Sequence, residues 1–348
     1  MKVAILLFGQ PRFFNITKSF IRDEFDLPGH EVDFFAHFWD RIGYLPKGEE
    51  ELYNVEELYS NVRNSLPNVR DLNIQSYDTA ERCSNLNEVC NFIGYFAEKL
   101  HTRPLPIHNN LETLRYKFGQ HWSMKRCFDR ICNYEERHKF KYDLVIKVRT
   151  DIVYKPQKCY SSQEEYLKAK EDYYFNNIEW DKPMIKAVAL RLLDLTAKMN
   201  KQSDRGYTQT VNRFYNNKFK LLKDPLAGWL DYVENYTIRL ALNDWSLISN
   251  RSAAEIIFGN WFENYFITLS KDIKNNKKSN SFISMSDHSL QGQFLLNYPI
   301  LAERLYDRRD VRLLHPTFIK EETIPTGKLL ARTEKNLKID LEKYWSEK

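Results

Sequence analysis

Residues 1–40 read MKVAILLFGQPRFFNITKSFIRDEFDLPGHEVDFFAHFWD, and their pattern of apolar residues indicates the fold class. Residues 3–8 form a continuous apolar run and residues 32–38 form a second, largely apolar run, as expected for strands that are buried on both faces. Between them, residues 14–25 carry apolar side chains at helical spacing. This order predicts a β-α-β unit within a parallel sheet, whose ligand-binding groups gather at the carboxyl ends of the strands.

The rest of the chain extends this α/β pattern. Residues 112–138 predict a long amphipathic helix, and residues 142–154 (YDLVIKVRTDIVY) predict another buried strand that ends in a charged tip. Residues 252–269 predict a helix with Ser252 as its N-cap. We therefore predict a mostly parallel central sheet flanked by helices, divided into an α/β core at 1–160, a helical insertion or subdomain at 161–240, the remainder of the core at 241–325, and a basic tail helix at 326–348.

The composition bears on the ligand, the metal and redox chemistry, and the cellular location of the protein. The 348 residues carry a formal net charge of +5, which favours an anionic small ligand and is too weak and too evenly spread for nucleic-acid binding. The five cysteines include no Cys-x-x-Cys pair, so zinc and redox sites are disfavoured and reduced thiols in the cytoplasm are expected. The sequence shows neither a signal peptide nor an apolar stretch of transmembrane length. We expect a cytoplasmic protein.

Three polar segments lie at or near predicted element ends. In Gly9-Gln10-Pro11-Arg12, the glycine lets a ligand approach the backbone and the guanidinium of Arg12 can pair with phosphate. In Arg149-Thr150-Asp151, the carboxylate is placed to hold a divalent cation on a diphosphate. In Asp287-His288, the imidazole can complete a metal shell. The structural alternatives are a tight turn with a surface arginine, an Arg–Asp pair and a helix cap.

Two further positions have a functional and a structural interpretation. Asp244 could act as a base or bind an acceptor hydroxyl, or could be a loop residue. His37 and Trp39 lie where a nucleotide-binding crevice should open, and the tryptophan either stacks on a base or closes the end of the sheet.

A resemblance rests on three motifs in order. FGQPRFF, VDFFAHFWD and QHWSMKRCFDRICNYEERHKFKYDLVIKVRTDIVY resemble a family of GT-A-type glycosyltransferases from bacteria and large viruses. Its members carry a Gly-Gln-Pro-Arg start, an Asp-x-Phe-x-His-x-Trp segment and a Tyr-Asp-x-Val-x-(Arg/Lys)-x-Arg-x-Asp strand. The resemblance covers about half the chain. In it, Arg149 stands where the common Asp-x-Asp metal motif has its first aspartate.

The resemblance implies a Rossmann-like GT-A fold and a set of site residues. The donor pocket would contain the residues of the three motifs: Gly9, Gln10, Arg12, His37, Trp39, Gln120, Ser123 and Arg149. Asp151 and His288 would hold manganese or magnesium. Asp244 and Asp287 are the candidate catalytic carboxylates if the reaction inverts configuration.

The expected activity is that of a metal-dependent, hexosyltransferase-like glycosyltransferase. It would move a sugar from a nucleoside diphosphate sugar to a glycan or glycolipid acceptor in the cytoplasm (the host cytoplasm if the chain is viral), with peripheral membrane contact left open. Two alternatives are another nucleotide-dependent transferase and a non-catalytic carbohydrate- or nucleotide-binding protein that keeps the fold. Neither Gly-x-Gly-x-x-Gly nor a P-loop motif is present to support the first of these.

Overall fold

The computed structural model divides the chain into two compact units. The first contains Met1–Asn85, Trp122–Asn177 and Asp307–Lys348, and the second contains Leu86–His121 and Ile178–Tyr306. The structure describes residues 1–42, 51–77, 111–176, 178, 180–187, 191–194, 238–241, 246–265, 291, 294–295, 298, 300–304 and 311–313.

The described elements follow one another in α/β order. Up to residue 176 they are β1 (Lys2–Gly9), α1 (Phe14–Glu24), β2 (Glu31–Trp39), β3 (Arg41–Ile42), β4 (Glu51–Leu52), α2 (Val55–Ser65), β5 (Val69–Gln75), α3 (Leu111–His138), β6 (Leu144–Val148), β7 (Ile152–Tyr154), a 3-10 turn (Gln157–Cys159) and α4 (Gln163–Tyr174). Beyond it they are β8 (Met184–Ala187), β9 (Arg191–Asp194), β10 (Ile238–Ala241), β11 (Ser246–Asn250), α5 (Arg251–Ala254), a π-helical turn (Glu255–Gly259), β12 (Leu301–Arg304) and β13 (Val311–Leu313).

The first unit is built on four parallel strands in the spatial order β5-β2-β1-β6. Val3 is aligned with Val32 of β2 on one side and with Leu144 of β6 on the other. Residues 3–9, 32–39 and 144–148 are all buried. This two-sided burial explains the continuous apolar runs of the sequence, because a parallel strand covered on both faces has no solvent-facing side.

Helices cover both faces of this sheet, as the alternation along β2 shows. Phe38 contacts Phe14 of α1, with ring centroids 6.1 Å apart. Phe35, an odd-numbered residue of the same strand, contacts Tyr134 of α3 at 5.6 Å. Because successive side chains of a strand point to opposite faces, α1 and α3 pack on opposite sides of the sheet.

The strand order creates a topological switch point between β1 and β6. The chain moves from β1 to β2 and then to β5 in one direction, and returns through α3 to β6 on the other side of β1. In open α/β sheets, ligands bind outside the carboxyl ends of the strands at such a point. The fold therefore directs attention to the segments that follow β1 and β6.

In the second unit, β8 pairs antiparallel with β11 and parallel with β12. Asn250 is the last residue of β11, and its side-chain oxygen accepts hydrogen bonds from the backbone N–H groups of Ala253 and Met184, at 3.1 and 3.0 Å. Asn250 is thus the N-cap of α5, and the prediction of Ser252 as N-cap is wrong. Ser252 instead donates its hydroxyl proton to the Asn250 side chain.

The α/β class, the mostly parallel strands and the flanking helices are confirmed. The prediction of one strand over residues 142–154 is wrong, because the chain leaves the sheet after β6 and β7 pairs antiparallel with β13. Within 161–240, where a helical insertion is predicted, the described residues form α4 and three strands, β8 to β10. The tail at 326–348 lies outside the described residues. Among the described residues, no helix combines the length and apolarity needed to cross a bilayer.

Candidate functional site

In the first unit, the carboxyl edge of the parallel sheet carries the predicted site residues Gly9, Gln10, Arg12, His37, Trp39, Ser123, Arg149 and Asp151. The segment after β1 is bracketed by two residues with positive φ, Gly9 at +89° and Phe13 at +53°. Phe13 is 1% exposed, and a bulky residue with left-handed backbone is an outlier that tends to occur at ligand-binding sites. Residues 10–12 thus form a tight, strained turn.

Hydrogen bonds fix this turn from both ends. The N–H of Gly9 donates to Oγ of Ser123 on α3 at 2.8 Å. The backbone N–H of Arg12 donates to the carbonyl of Gln10 at 2.8 Å, and Nε of Arg12 donates to the Gln10 side-chain oxygen at 2.8 Å. Gln10 therefore orients the guanidinium of Arg12, which is partly exposed.

The segment after β6 is organised by an ion pair. Arg149 donates from Nε to Oδ1 of Asp151 at 2.8 Å and from Nη2 to Oδ2 at 2.6 Å. The Asp151 side chain is 6% exposed and that of Arg149 is 23% exposed. This bidentate geometry fixes the plane of the guanidinium and uses two of its five N–H donors.

The two strand-end segments are joined to each other. The Thr150 hydroxyl donates to the carbonyl of Gln10 at 3.2 Å, and the Thr150 carbonyl accepts a hydrogen bond from the hydroxyl of Thr17 on α1. Arg12 and Arg149 consequently lie on two linked segments on either side of the switch point between β1 and β6. Two oriented guanidinium groups in this place suit an anionic ligand such as a diphosphate.

His37 and Ser123 belong to a buried hydrogen-bond relay behind the turn. Oγ of Ser123 lies 2.8 Å from Nδ1 of His37 and 2.7 Å from the His37 carbonyl, and Nε2 of His37 lies 3.0 Å from the side-chain oxygen of Gln75. The Ser123 hydroxyl donates its proton to the His37 carbonyl and its oxygen accepts the N–H of Gly9, while the His37 ring contacts Ser123 through Nδ1 and Gln75 through Nε2. His37 and Ser123 are both 0% exposed, so they position the turn from behind.

Burial keeps the imidazole of His37 neutral. Desolvation lowers the pKa of His37 to about 4, and the guanidinium groups of Arg130 and Arg126 contribute in the same direction. The neutral ring carries a single N–H, so one of its two nitrogens donates and the other accepts.

Trp39 and Gln120 occupy different environments. Trp39 ends β2 but is 3% exposed, with its ring in edge-to-face contact with His37 at 5.2 Å and with Tyr77 at 5.1 Å. Gln120 belongs to the second unit and is partly exposed on α3. Trp39 therefore closes the end of the sheet, the structural alternative considered from the sequence.

The described residues do not by themselves fit a metal site. Both oxygens of Asp151 accept hydrogen bonds from Arg149, and within the described residues no group of three His, Cys, Asp or Glu side chains could hold an ion. The other predicted metal ligand, His288, and the predicted catalytic carboxylates Asp244 and Asp287 lie outside the described residues.

Three residues organise this edge in roles that the sequence analysis did not predict. Thr150 links the two segments, Gln75 holds the relay, and Tyr53 donates its hydroxyl to the carbonyl of Pro11 at 3.2 Å. Thr150 closely follows the buried strand β6, which is a usable sequence signal, whereas Gln75 ends β5, a strand of mixed burial. Tyr53 lies between β4 and α2 and offers no such signal.

A cavity of about 530 Å³ in the first unit lies elsewhere. It is lined by the C-terminal half of α1, the chain after β7 and α4. Helix α1 returns from the end of β1 to the start of β2, so this cavity lies away from the carboxyl edge. Lys170, which is part of its lining, is 2% exposed and donates from Nζ to the carbonyls of Asp23 and Asp26 at 2.6 and 2.9 Å. The lysine therefore serves to cap the end of α1.

Comparisons with protein families and with curated protein sequences found no match. No family model matches the chain. No curated protein sequence matches it significantly.

Proposed function

We propose that the protein is a glycosyltransferase of the GT-A type that transfers a sugar from a nucleoside diphosphate sugar to a glycan or glycolipid acceptor. One observation carries the proposal: Arg12 and Arg149 stand on hydrogen-bonded segments flanking the switch point of a parallel sheet. That is where α/β proteins bind nucleotides, and the two groups have the charge and shape that a diphosphate needs.

In the proposed glycosyl transfer, negative charge develops on the departing diphosphate. The bond between the anomeric carbon and the β-phosphate oxygen breaks, and the diphosphate leaves with the electron pair. The oxygen of an acceptor hydroxyl forms the new bond to the anomeric carbon, and its proton passes to a carboxylate if configuration inverts or to the departing diphosphate if configuration is retained. Guanidinium groups oriented in advance stabilise the negative charge that grows on the leaving group. Gln10 and Asp151 provide that orientation for Arg12 and Arg149.

The predicted manganese or magnesium ion, the predicted catalytic carboxylates and the cytoplasmic location stay predictions. Substitution of Asp151 distinguishes metal binding from nucleotide binding. If Asp151 contacts a cation on the diphosphate, Asp151→Ala abolishes manganese-dependent binding of the nucleoside diphosphate. If Asp151 only orients Arg149, the substitution weakens nucleotide binding equally with and without manganese.

A second candidate is a non-catalytic nucleotide- or carbohydrate-binding protein that retains the fold. One observation favours it: the carboxylate expected to bind metal is held in a bidentate pair with Arg149. Such a protein would bind the donor without transferring or hydrolysing it.

A panel of nucleoside diphosphate sugars tests both candidates. Thermal shift with and without manganese identifies the bound donor, and release of nucleoside diphosphate from that donor reports turnover. Donor-specific stabilisation with release supports the glycosyltransferase, and stabilisation without release supports the binding protein. Absence of stabilisation by any nucleotide or nucleotide sugar contradicts both.

A further inference from the structure

Three aromatic rings form a cluster near the carboxyl ends of β2 and β5, on the same sheet edge as the segments that carry Arg12 and Arg149. Trp39 ends β2, Tyr77 follows β5, and Trp122 lies on α3 beside the relay residue Ser123. Trp39 and Tyr77 are 3% and 7% exposed, and their rings meet edge to face at 5.1 Å. Trp122 packs against this pair and is itself only partly buried. It is thus the member of the cluster that solvent reaches.

Guanidinium groups lie over two of these rings. Arg126 is exposed and its guanidinium carbon lies 5.3 Å from the centroid of Trp122, one helical turn earlier on α3. Arg41, which is 7% exposed, lies 5.0 Å from the centroid of Tyr77. An aromatic face paired with a guanidinium on a long, solvent-exposed stem can receive a flat base between them, because every base has π-faces that both groups attract.

The position of this cluster complements the cationic segments. The aromatic cluster lies at the ends of β2 and β5, whereas Arg12 and Arg149 follow β1 and β6. With neighbouring strands about 4.8 Å apart, the two halves are separated by about 10 Å along the edge. A nucleotide can span such a separation, with its diphosphate near the arginines and its base near the rings.

We infer that Trp122 is the stacking platform for the base of the nucleotide, with Arg126 covering the other face of the base. This inference rests on the proposed nucleotide binding and deepens it. Trp39, the tryptophan that the sequence suggests for this role, is closed off by its neighbours and instead supports Trp122 from behind.

Calorimetric titration with nucleoside diphosphates of all common bases, and with pyrophosphate as a base-free probe, tests the inference. Trp122→Leu should weaken binding of the preferred nucleoside diphosphate by about 5- to 150-fold, as loss of one stacked base does, and should leave pyrophosphate binding unchanged. Trp122→Phe, which keeps a ring, should retain most of the affinity. Trp180→Leu is the matched control, since Trp180 is 49% exposed and belongs to the second unit.

Arg126→Ala provides a test at an exposed position, where folding is not at risk. It should weaken nucleoside diphosphate binding several-fold and leave pyrophosphate binding unchanged. Arg63→Ala is its control, because Arg63 lies 5.5 Å from the Tyr59 ring on α2 in the same kind of contact.

The outcomes separate this inference from the proposed function. If the unmodified protein binds a nucleoside diphosphate and neither Trp122→Leu nor Arg126→Ala weakens it, the base lies elsewhere and only this inference fails. If Trp122→Leu weakens pyrophosphate binding as much as nucleotide binding, the substitution acts on the whole site, and the inference that Trp122 stacks on the base is also overturned. If the unmodified protein binds no nucleotide, the proposed function fails too.

Discussion

Acidification from pH 7 to pH 5 should destabilise the protein through His37. Burial lowers the pKa of this imidazole from 6.5 to about 4 in the folded protein. The unfolded chain therefore takes up a proton near pH 6.5, whereas the folded protein takes it up only near pH 4. Within this window the unfolded state binds more protons, so the free energy of unfolding falls as the pH falls.

The size of the effect follows from the two pKa values. At about 1.4 kcal/mol per pH unit, the full difference corresponds to about 3 kcal/mol. About 2 kcal/mol of this is lost between pH 7 and pH 5, because the unfolded state is then almost fully protonated at His37 and the folded state is not. Above pH 7 the group contributes almost no pH dependence.

Urea unfolding at pH 7 and pH 5, for the protein and for His37→Gln, isolates this contribution. Other titrating groups affect both proteins alike, so the unmodified protein should lose about 2 kcal/mol more than the variant. Nitrogen-15 NMR of the imidazole measures the same property directly, and does so even if His37→Gln does not fold. An imidazole that is protonated at pH 5 in the folded protein would show that burial does not lower the pKa of His37.

Two other substitutions test the supports of the site, and a third tests the cap at the end of α1. Ser123→Ala removes the acceptor of the Gly9 N–H and should cost about 1–3 kcal/mol in urea unfolding, whereas the exposed Ser19→Ala should cost almost nothing. Gly9→Ala should cost about 1–2 kcal/mol, measured in the same way, entirely through its backbone angle, because an added Cβ meets no atom within 4 Å. An unchanged stability would show that position 9 does not hold a left-handed backbone angle. Lys170→Met should cost about 2 kcal/mol by leaving the carbonyls at the end of α1 without their charged donor, while Lys168→Met, at an exposed position, should match the unmodified protein.

The sequence predicts β1, α1 and β2 of the first unit because the burial of these elements follows from local residue patterns. The apolar run of β1 and the helical spacing of α1 each depend only on neighbours within the element. The N-cap of α5 shows where this fails. Asn250 and Ser252 are both good caps, and the choice of Asn250 is linked to its second hydrogen bond, to Met184, 66 residues away.

The roles of the site residues are less predictable for a similar reason. The alternation along β2 places His37 and Trp39 on the same face as Phe35, but it does not say that Ser123 meets His37 there. Likewise, a tryptophan at a strand end is either a platform or a plug according to what packs on it, and Tyr77 and Trp122 cover Trp39. These contacts join residues up to 86 positions apart, which no local pattern encodes.

The affinity of the Arg12→Ala variant for nucleoside diphosphates tests the central claim most directly. Charge-assisted hydrogen bonds contribute about 1.5–3 kcal/mol each, so Arg12→Ala should weaken binding more than about tenfold in calorimetric titration, and Arg12→Lys should not fully restore it. Arg22→Ala is the matched control, because Arg22 is exposed near the far end of α1 and pairs with Asp23. The loss of affinity should be confined to the substitutions of Arg12. Equal nucleoside diphosphate affinity in the unmodified protein, Arg12→Ala and Arg22→Ala would contradict it.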